Sequence, residues 1–280
     1  MLADSYWLPA SWQLAGQNGV LGFTTTRHGG SSIGAFTSNN IRFGIGDSPS
    51  LVSANRSRLL ATIDEHFTGV SGSVDMNEHR ELSKVPVKLQ WLDQVHGDDW
   101  IYADAGSLDT TPQADAAWTD KRGVGIAIQT ADCIPILITD RDATIVGAAH
   151  AGWRGLVSNV AANLVAAMPK APEELVAWLG PCIGPKYFEV GEDVWSEVLP
   201  ILPEAVHVHS RDASKRFVDL LAVAKRQLRQ CGVGAVSSAD ICTYASNDFY
   251  SYRQACHLND SEGSVPAATG RMASIVALRP

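Results

Sequence analysis

Cysteine is scarce in this sequence, and its placement excludes two common structural roles. The chain has five cysteines among 280 residues, an odd number, and no two of them form a CxxC pair. A disulfide framework usually has an even number of cysteines, and a structural zinc ribbon has CxxC pairs. This usage favours a reducing compartment. The five residues are Cys133, Cys182, Cys231, Cys242 and Cys256.

Excess positive charge and long apolar runs are also missing. The chain has 22 Lys and Arg against 30 Asp and Glu, a formal net charge of −8. We therefore expect no nucleic-acid partner, because phosphate backbones are bound by an excess of Lys and Arg. The longest apolar stretch, residues 124–138, is interrupted by polar residues and is too short to span a bilayer. Residues 1–7 lack the pattern of a signal peptide, so we expect a cytoplasmic protein without a membrane partner.

The rest of the composition is typical of a globular protein. Hydrophobic residues make up 45% and charged residues 19% of the chain, and this length can bury a large core. Two segments rich in small and polar residues, 69–84 and 259–269, are predicted loops. Neither resembles a long linker between independent domains, so we predict a single domain over residues 1–280.

Apolar periodicity predicts many strands and few helices. Strands are predicted at 21–26, 87–91, 100–103, 124–129, 134–139, 144–149, 175–179, 205–208, 236–239 and 273–277. Helices are predicted at 156–168 and 218–230, and less regular patterns favour helices at 51–63 and 190–199. Because strands and helices do not alternate strictly, we predict an α+β fold of mixed β-sheets with flanking helices in a layered sandwich.

Residues 124–155 hold the most informative pattern. Two apolar strands flank the turn sequence Asp140–Ala143. If the hairpin turn has two residues, Cys133 lies directly opposite His150, with their Cβ atoms about 4.5–5.5 Å apart. A longer turn would shift this register. Side chains at that separation can bind one metal ion.

His96 supplies a third ligand in this interpretation. It lies in the motif QVHG, in a loop between two predicted strands, where a rigid scaffold often presents functional residues. Two imidazoles and one thiolate leave the fourth position of a tetrahedral zinc ion open, as in catalytic sites. The alternative is a hydrogen-bonded structural histidine and a buried cysteine, both of which are common. Cys182 or Cys242 could also supply a fourth ligand, which would make the ion structural and the protein an interaction module rather than an enzyme.

Two arginines lie in glycine-rich segments that could bind an anion. Arg154 lies in the segment AGWRG, which leads into a predicted helix, and a helix N-terminus beside an arginine suits phosphate. Arg27 lies in the Gly/Ser-rich segment 26–32 after a predicted strand. The alternative for both is a glycine-rich turn with a solvated arginine.

Eight motifs follow one another along the chain: TTTRHGGSS, QVHG, ADAAWT, TADCIP, AHAGWRG, GPCIGP, FYSYR and TGRM. In this order they resemble the YfiH-type family, also called the laccase-domain or multicopper polyphenol oxidoreductase family. The resemblance covers nearly the whole chain. It implies zinc ligands at His96, Cys133 and His150, an α+β fold, and phosphorolysis of adenosine, inosine, guanosine and methylthioadenosine, with deamination of adenosine.

Further site residues are assigned on this resemblance. We expect Arg27, Arg154 and Arg271 to hold phosphate, and Asp132 or Asp115 to move a proton during deamination. Either aspartate could instead cap a turn or orient a ligand. The expected partners are a nucleoside and phosphate, and a homodimer is left open.

Two other functions remain open. Cys133 and His150 could form the catalytic pair of a cysteine hydrolase. Such an enzyme could trim a wrongly incorporated amino acid from a peptidoglycan precursor of the UDP-MurNAc-L-Ser type, and the metal could serve the same amidase reaction. Copper-dependent polyphenol oxidation is less favoured, because a multicopper cluster needs more imidazoles than eight scattered histidines supply. Copper in place of zinc at the three ligands is the less favoured cofactor.

The sequence departs from the family pattern at four positions. Arg42 stands where the family usually has glycine, Gly44 where histidine is common, Lys186 where cysteine or another small or acidic residue is common, and Gln254 where a second arginine is typical. Arg42 and Gln254 could alter the substrate preference if they line the pocket.

Overall fold

The structure, a computed structural model, describes residues 6–12, 19–68, 86–260 and 267–280. Within these ranges the chain forms fourteen strands and six α-helices. The strands are β1 (Trp7–Pro9), β2 (Val20–Thr25), β3 (Lys88–Trp91), β4 (Trp100–Tyr102), β5 (Ala116–Thr119), β6 (Val124–Thr130), β7 (Ile134–Asp140), β8 (Val146–Ala151), β9 (Leu175–Leu179), β10 (Glu189–Val190), β11 (Val206–Val208), β12 (Arg216–Val218), β13 (Ala235–Ser238) and β14 (Met272–Leu278). The helices are α1 (Pro49–Thr68), α2 (Trp153–Val157), α3 (Val160–Ala167), α4 (Glu192–Val198), α5 (Leu220–Gln230) and α6 (Tyr252–Asp260).

The strands of the described residues form three sheets. A five-stranded sheet has the order β1-β2-β14-β6-β3, a six-stranded sheet has the order β13-β9-β7-β8-β5-β4, and a three-stranded sheet has the order β10-β12-β11. The two larger sheets are mixed: β3 runs parallel to β6, for example, whereas β14 runs antiparallel to it. The predicted α+β fold with mixed sheets is confirmed.

The two larger sheets pack face to face between layers of helix. Side chains alternate between the two faces of a strand, so Leu137 joins Val276 in the core between the sheets, whereas Ile136 joins the core beneath α2, α3, α4 and α5. On the opposite side, Ile63 of α1 packs with Phe23 against the five-stranded sheet. Each such fully buried side chain contributes about 1.5–3 kcal/mol of transfer free energy. This arrangement is the predicted layered sandwich.

The predicted continuous helix 156–168 is wrong at residues 158 and 159, because two helices occupy this region. Helix α2 ends at Val157 and α3 begins at Val160, since Asn159 has a left-handed φ of 65°. Asparagine adopts this conformation more readily than most residues. The buried Gln227 amide donates a hydrogen bond of 2.7 Å to the Leu156 carbonyl, so this backbone acceptor near the end of α2 has a partner.

The predicted register of the β7–β8 hairpin is also wrong. His150 pairs with Pro135 rather than with Cys133, because the turn has four residues, 141–144, instead of two. The partner of His150 therefore shifts by two residues, which keeps the same face of the sheet. Cys133 becomes a diagonal neighbour of His150, at a spacing that side chains can still bridge.

A buried carboxylate accounts for the longer turn. Asp140 accepts hydrogen bonds from the backbone N–H groups of Thr144 and Ile145, at 2.7 and 3.1 Å. Ala143 takes a left-handed φ of 56° to make this possible. In a two-residue turn these N–H groups would belong to the second strand of the hairpin. Here the side chain of Asp140 accepts their hydrogen bonds instead, which stabilises the longer turn.

Two other predictions concern the whole chain. No helix in the described ranges is both long and apolar enough to cross a membrane. The single domain over residues 1–280 stays a prediction. The predicted loop 69–84 lies outside the described residues, as do residues 261–266 of the second predicted loop.

Candidate metal centre

The candidate ligands lie where the chain passes from one large sheet to the other. His96 lies in the connection from β3 of the five-stranded sheet to β4 of the six-stranded sheet, and Cys133 in the connection from β6 to β7. Strand β3 runs parallel to β6. Strands β4 and β7 also run in the same direction, because β4 is parallel to β5 and both β5 and β7 are antiparallel to β8. Both connections therefore cross at the same edge of the sandwich, where β8 ends one residue after His150.

His96, Cys133 and His150 converge at this edge. One potential ligand atom of each lies within 4.8 Å of those of the other two. The Sγ atom of Cys133 is 3.9 Å from Nε2 of His96, and the two imidazole centroids are 4.7 Å apart. His150 is buried, Cys133 is half-buried and His96 is exposed. The cluster is thus open to solvent on the His96 side.

The Asp115 carboxylate orients two of the three residues. It accepts a hydrogen bond of 2.7 Å from Nδ1 of His150, which leaves Nε2 of that ring for a metal. It also accepts the backbone N–H groups of Val95, His96 and Gly97, at 3.1, 3.0 and 2.7 Å. These bonds hold His96 at a left-handed φ of 63°. Asp115 is therefore placed to orient ligands.

The charge of Asp115 is stabilised by the same contacts. The residue is fully buried, and burial alone would raise the pKa of its carboxyl. The hydrogen bonds from His150 and from the backbone outweigh burial and lower this pKa below its usual value of 3.8. An ionised Asp115 can only accept from Nδ1, so it fixes the tautomer of His150.

Cys133 and His150 stabilise each other's charged forms. Burial alone would raise the pKa of the Cys133 thiol, but the charge of His150 and hydrogen bonds from both imidazoles outweigh it and lower that pKa. Burial likewise opposes the charged form of His150, whereas the thiolate and Asp115 raise its pKa overall. A thiolate is the form of cysteine that binds a metal.

Gly152 keeps the space between the ligands free. A Cβ atom at this position would lie 3.0 Å from Cδ2 of His96 and 3.1 Å from Sγ of Cys133. Both distances are shorter than ordinary van der Waals contact between such atoms. Two imidazole nitrogens, a thiolate and this open space fit a zinc ion, which prefers N and S ligands.

A cavity of about 420 Å³ opens beside the cluster. All three candidate ligands line it, as do Asp132 and Arg271, so five residues that the sequence assigned to catalysis or binding meet there. The other lining residues are Arg42, Ile45, Gln94, Gln129, Thr130, Ala131, Ile183, Phe188, Tyr252 and Arg253.

Two predicted phosphate-binding residues do not line this cavity. Arg27 donates from Nε to the Thr37 carbonyl at 3.0 Å, and its guanidinium lies 4.9 Å from the centre of the Tyr250 ring. Arg154 is exposed and stacks on the ring of its neighbour Trp153, at 4.3 Å. Of the three arginines expected to hold phosphate, the structure brings Arg271 alone to the cavity wall.

Asp132 lines the cavity, but both of its carboxylate oxygens have partners. The hydroxyl of Thr243 donates to Oδ1 at 2.7 Å, and the backbone N–H of Arg253 donates to Oδ2 at 2.7 Å. Arg253 is in the first turn of α6, whose N–H groups have no partners within the helix. Asp132 therefore satisfies one of these donors, and its predicted part in proton transfer stays a prediction.

Several lining residues were not identified from the sequence. Arg253 lies in the FYSYR motif and Gln94 in the QVHG motif, so motif membership was the available signal. The Gln94 amide exchanges two hydrogen bonds of 2.8 Å with the backbone of Gln129, which ties the His96 loop to β6. Two departures from the family pattern could alter the substrate preference. Arg42 lines the cavity, whereas Gln254 does not line it and donates to the Tyr244 carbonyl at 2.9 Å.

Comparisons with known proteins identify the family of this chain. The family model described as multi-copper polyphenol oxidoreductase laccase matches residues 21–279. The chain is 35% identical over 259 residues to the purine nucleoside phosphorylase YfiH of Escherichia coli (strain K12), covering 92% of this chain and 93% of that protein. It is also 35% identical over 276 residues to the purine nucleoside phosphorylase PA4543 of Pseudomonas aeruginosa, covering 98% of each.

Solved structures show the same fold. The crystal structure of protein NMB0706 of Neisseria meningitidis superposes with a TM-score of 0.81 at 35% identity, over 99% of this chain and 100% of that one. YlmD of Geobacillus stearothermophilus superposes with a TM-score of 0.80 at 27% identity, over 99% of this chain and 97% of that one. The motifs, the fold and these relatives agree, and the chain belongs to the multi-copper polyphenol oxidoreductase laccase family, to which the YfiH proteins belong.

Proposed function

We propose that this chain is a zinc-dependent purine nucleoside phosphorylase that acts on adenosine, inosine, guanosine and methylthioadenosine and also deaminates adenosine. One observation carries the proposal: His96, Cys133 and His150 converge at the wall of a cavity of about 420 Å³. Relatives that match nearly the whole chain are named purine nucleoside phosphorylases. Copper at the same three residues is the alternative cofactor.

The cavity has the size and the polar groups that a nucleoside requires. Small-molecule pockets typically have volumes of about 300–1,000 Å³. Phe188 and Tyr252 offer apolar surface to a purine ring. Oε1 of Gln129 and Oγ1 of Thr130 are buried and have no hydrogen-bond partner among the described residues. Buried polar atoms are normally paired, so these two are candidates to accept hydrogen bonds from the purine or the ribose.

Arg271 is the candidate for holding orthophosphate. Its Nη1 donates to the carbonyls of Thr269 and Gly270, at 2.9 and 3.1 Å, which fixes the guanidinium in the cavity wall. The remaining N–H groups can donate to phosphate oxygens. Phosphorolysis requires an oxygen of that phosphate to replace the purine at C1′ of the ribose, so Arg271 would place the attacking group.

The remaining residues prepare the site for both reactions. Zinc, when bound, supplies a Lewis acid that polarises an oxygen of a substrate or of water. Asp115 holds the His150 ring with its Nε2 toward the cluster. For deamination we retain Asp132 as the proton carrier, because it lines the cavity whereas Asp115 does not.

The test uses metal-defined protein, His96→Ala and the control His207→Ala, whose exposed imidazole lies on β11. Each is incubated with adenosine or inosine, with and without phosphate, and the products are identified. We expect ribose 1-phosphate only when phosphate and metal are present, inosine from adenosine without phosphate, and loss of both in His96→Ala. Metal analysis of the purified protein distinguishes zinc from copper.

A second candidate is the amidase, favoured by the close contact between Cys133 and an imidazole at 3.9 Å. A muramyl-peptide precursor is therefore included as a substrate. Turnover of this precursor alone would refute the nucleoside proposal. Turnover that survives chelation but not Cys133→Ala would identify a thiolate–imidazole hydrolase.

A further inference from the structure

A second cavity of about 340 Å³ adjoins the first. The two share Arg42 and Gln129 in their walls, so Arg42 faces both spaces. Beyond Arg42, the second cavity is lined by Arg56 and by the aromatic rings of Phe43 and Trp91. This space has no part in the proposed reaction described so far.

The guanidinium groups of this cavity have no anionic partner among the described residues. None of the ion pairs among the described residues includes an arginine. The Arg42 side chain makes no hydrogen bond to the described part of the chain, and Arg56 uses only Nε, which donates to the Ile41 carbonyl at 2.8 Å. Asp93 also lines the cavity but pairs with neither arginine. Most of the N–H donors of Arg42 and Arg56 are therefore available to a ligand.

Contacts within the protein order the segments that carry Arg42 and Arg271 and the guanidinium of Arg56. Oδ1 of the buried Asn40 accepts the backbone N–H groups of Arg42 and Arg271, at 3.1 and 2.9 Å, and so joins the two segments that carry them. The Arg56 guanidinium lies 3.6 Å from the centre of the Trp91 ring and 4.5 Å from that of Phe43. Such prior ordering lowers the entropic cost of binding an anion.

The electrostatics also favour an anion. Burial lowers the pKa of Arg56, and the positive charge of Arg42 lowers it further, to about 10. Neighbouring like charges without a counter-ion destabilise each other, and a bound anion removes this repulsion. A local excess of cations is notable in a chain whose formal net charge is −8.

We propose that the second cavity binds a phosphate group carried by the substrate, so that nucleoside 5′-phosphates are the preferred substrate class of this site. The inference rests on the proposed function, in which the base and ribose occupy the first cavity. Arg42 and Arg56 then hold the 5′-phosphate, while Arg271 holds the attacking orthophosphate. Arg56 lines the second cavity and not the first, whereas the candidate metal ligands line the first and not the second. The second cavity therefore suits the phosphate of the substrate rather than the attacking orthophosphate.

The reaction balances with orthophosphate as the co-reactant. An oxygen of monohydrogen phosphate forms the new bond to C1′, and the bond from C1′ to the purine nitrogen breaks with its electron pair on the purine. The proton of the phosphate ends on the purine. The products are the free base and ribose 1,5-bisphosphate.

The test compares two ligands by titration calorimetry in phosphate-free buffer, with Kd measured for inosine and for inosine 5′-monophosphate, neither of which has the amino group that deamination removes. We expect wild-type protein to bind the monophosphate at least about tenfold more tightly, the factor typical of one or two charge-assisted hydrogen bonds. In Arg42→Ala this ratio should fall toward one. Arg42→Lys, which keeps the charge, should retain part of it. Arg226→Ala removes an exposed arginine of α5 and should keep the wild-type ratio.

Three outcomes separate the alternatives. A wild-type ratio near one overturns the inference, as does a ratio that Arg42→Ala leaves unchanged while the KM for orthophosphate rises. The second result would assign Arg42 to the co-substrate. Binding does not require turnover, so a high ratio without any phosphorolysis would refute the proposed reaction and support the phosphate subsite.

Discussion

The two ends of the β7–β8 hairpin each have a buried aspartate that collects hydrogen bonds, and the two aspartates have different effects. At the turn, Asp140 accepts from Thr144 and Ile145, four and five residues away, and pairs with Lys170 at 2.9 Å. At the open end, Asp115 accepts from residues 95–97 and from His150, which are 18 to 35 residues away. Local partners close a turn, whereas distant partners bring separate segments together into a site.

The strongest test of this comparison is Asp115→Asn. An amide cannot accept all four hydrogen bonds, and its N–H₂ group would face donors, so we expect about 3–5 kcal/mol loss of unfolding free energy. Metal affinity should fall by about 10–100-fold, because His150 and the His96 loop lose their orienting partner. Urea unfolding and competition with a chelator measure the two effects. Unchanged metal affinity would contradict the orienting role of Asp115.

The open end of the β7–β8 hairpin also requires free space between the candidate ligands, and Gly152→Ala tests this requirement. The Gly152 φ of −74° is accessible to alanine, so the backbone should tolerate the change, and crowding by the new methyl group should cost about 1–3 kcal/mol of stability. The new methyl group would crowd His96 and Cys133, and we expect metal affinity to fall by about tenfold or more. The same chelator competition measures this loss. A variant that binds metal normally would show that the ligands do not close around the space beside Gly152.

At the turn, Asp140→Asn should affect stability alone. It weakens the bonds to Thr144 and Ile145 and leaves Lys170 without its charged partner, so we expect a loss of about 1–3 kcal/mol. Metal affinity should stay within about threefold of wild type, because the turn is at the far end of the hairpin from the ligands. Asp142→Asn, in the same turn but exposed, is the matched control and should change neither quantity.

The smallest effect concerns pH. Burial would raise the pKa of Asp140, but hydrogen bonds from Thr144 and Lys170 outweigh it and lower the pKa below 3.8. A carboxyl with a lowered pKa in the folded state stabilises the fold above its unfolded pKa, and this contribution is lost as pH falls. The stability difference between wild type and Asp140→Asn should thus be constant from about pH 5 to 8 and shrink below about pH 4. Unfolding curves at several pH values measure it, and a difference that grows in acid would contradict the assignment.

Strongly apolar strands and motif residues could be predicted from the sequence. Strands β6, β7 and β14 follow from continuous apolar runs, and the three candidate ligands follow from their motifs. Strand β5 was missed because its small residues Ala116 and Ala117 give a weak pattern. Single polar side chains explain the two errors of detail: Asp140 lengthened the hairpin turn, and Asn159 divided a helix.

The walls of the cavities were harder to predict. Arg27 and Arg154 lie in glycine-rich segments with the composition of an anion site, yet their guanidiniums stack on Tyr250 and Trp153. Arg42 came to attention only as a departure from a family pattern. Which arginine faces a cavity depends on how the sheets cross, and local sequence does not encode that crossing.

The crossings of the chain between the large sheets also connect metal binding with the stability of the sandwich. His96 and Cys133 lie on segments that leave the five-stranded sheet, whereas His150 belongs to the six-stranded sheet. A single ion held by all three would act as a cross-link between the two layers. A ligand that binds only the folded state raises its stability in proportion to the logarithm of its concentration above Kd, so loading the ion should make the layers harder to separate. Conversely, substitutions in the core between the sheets, far from any ligand atom, should tune how tightly the ion is held.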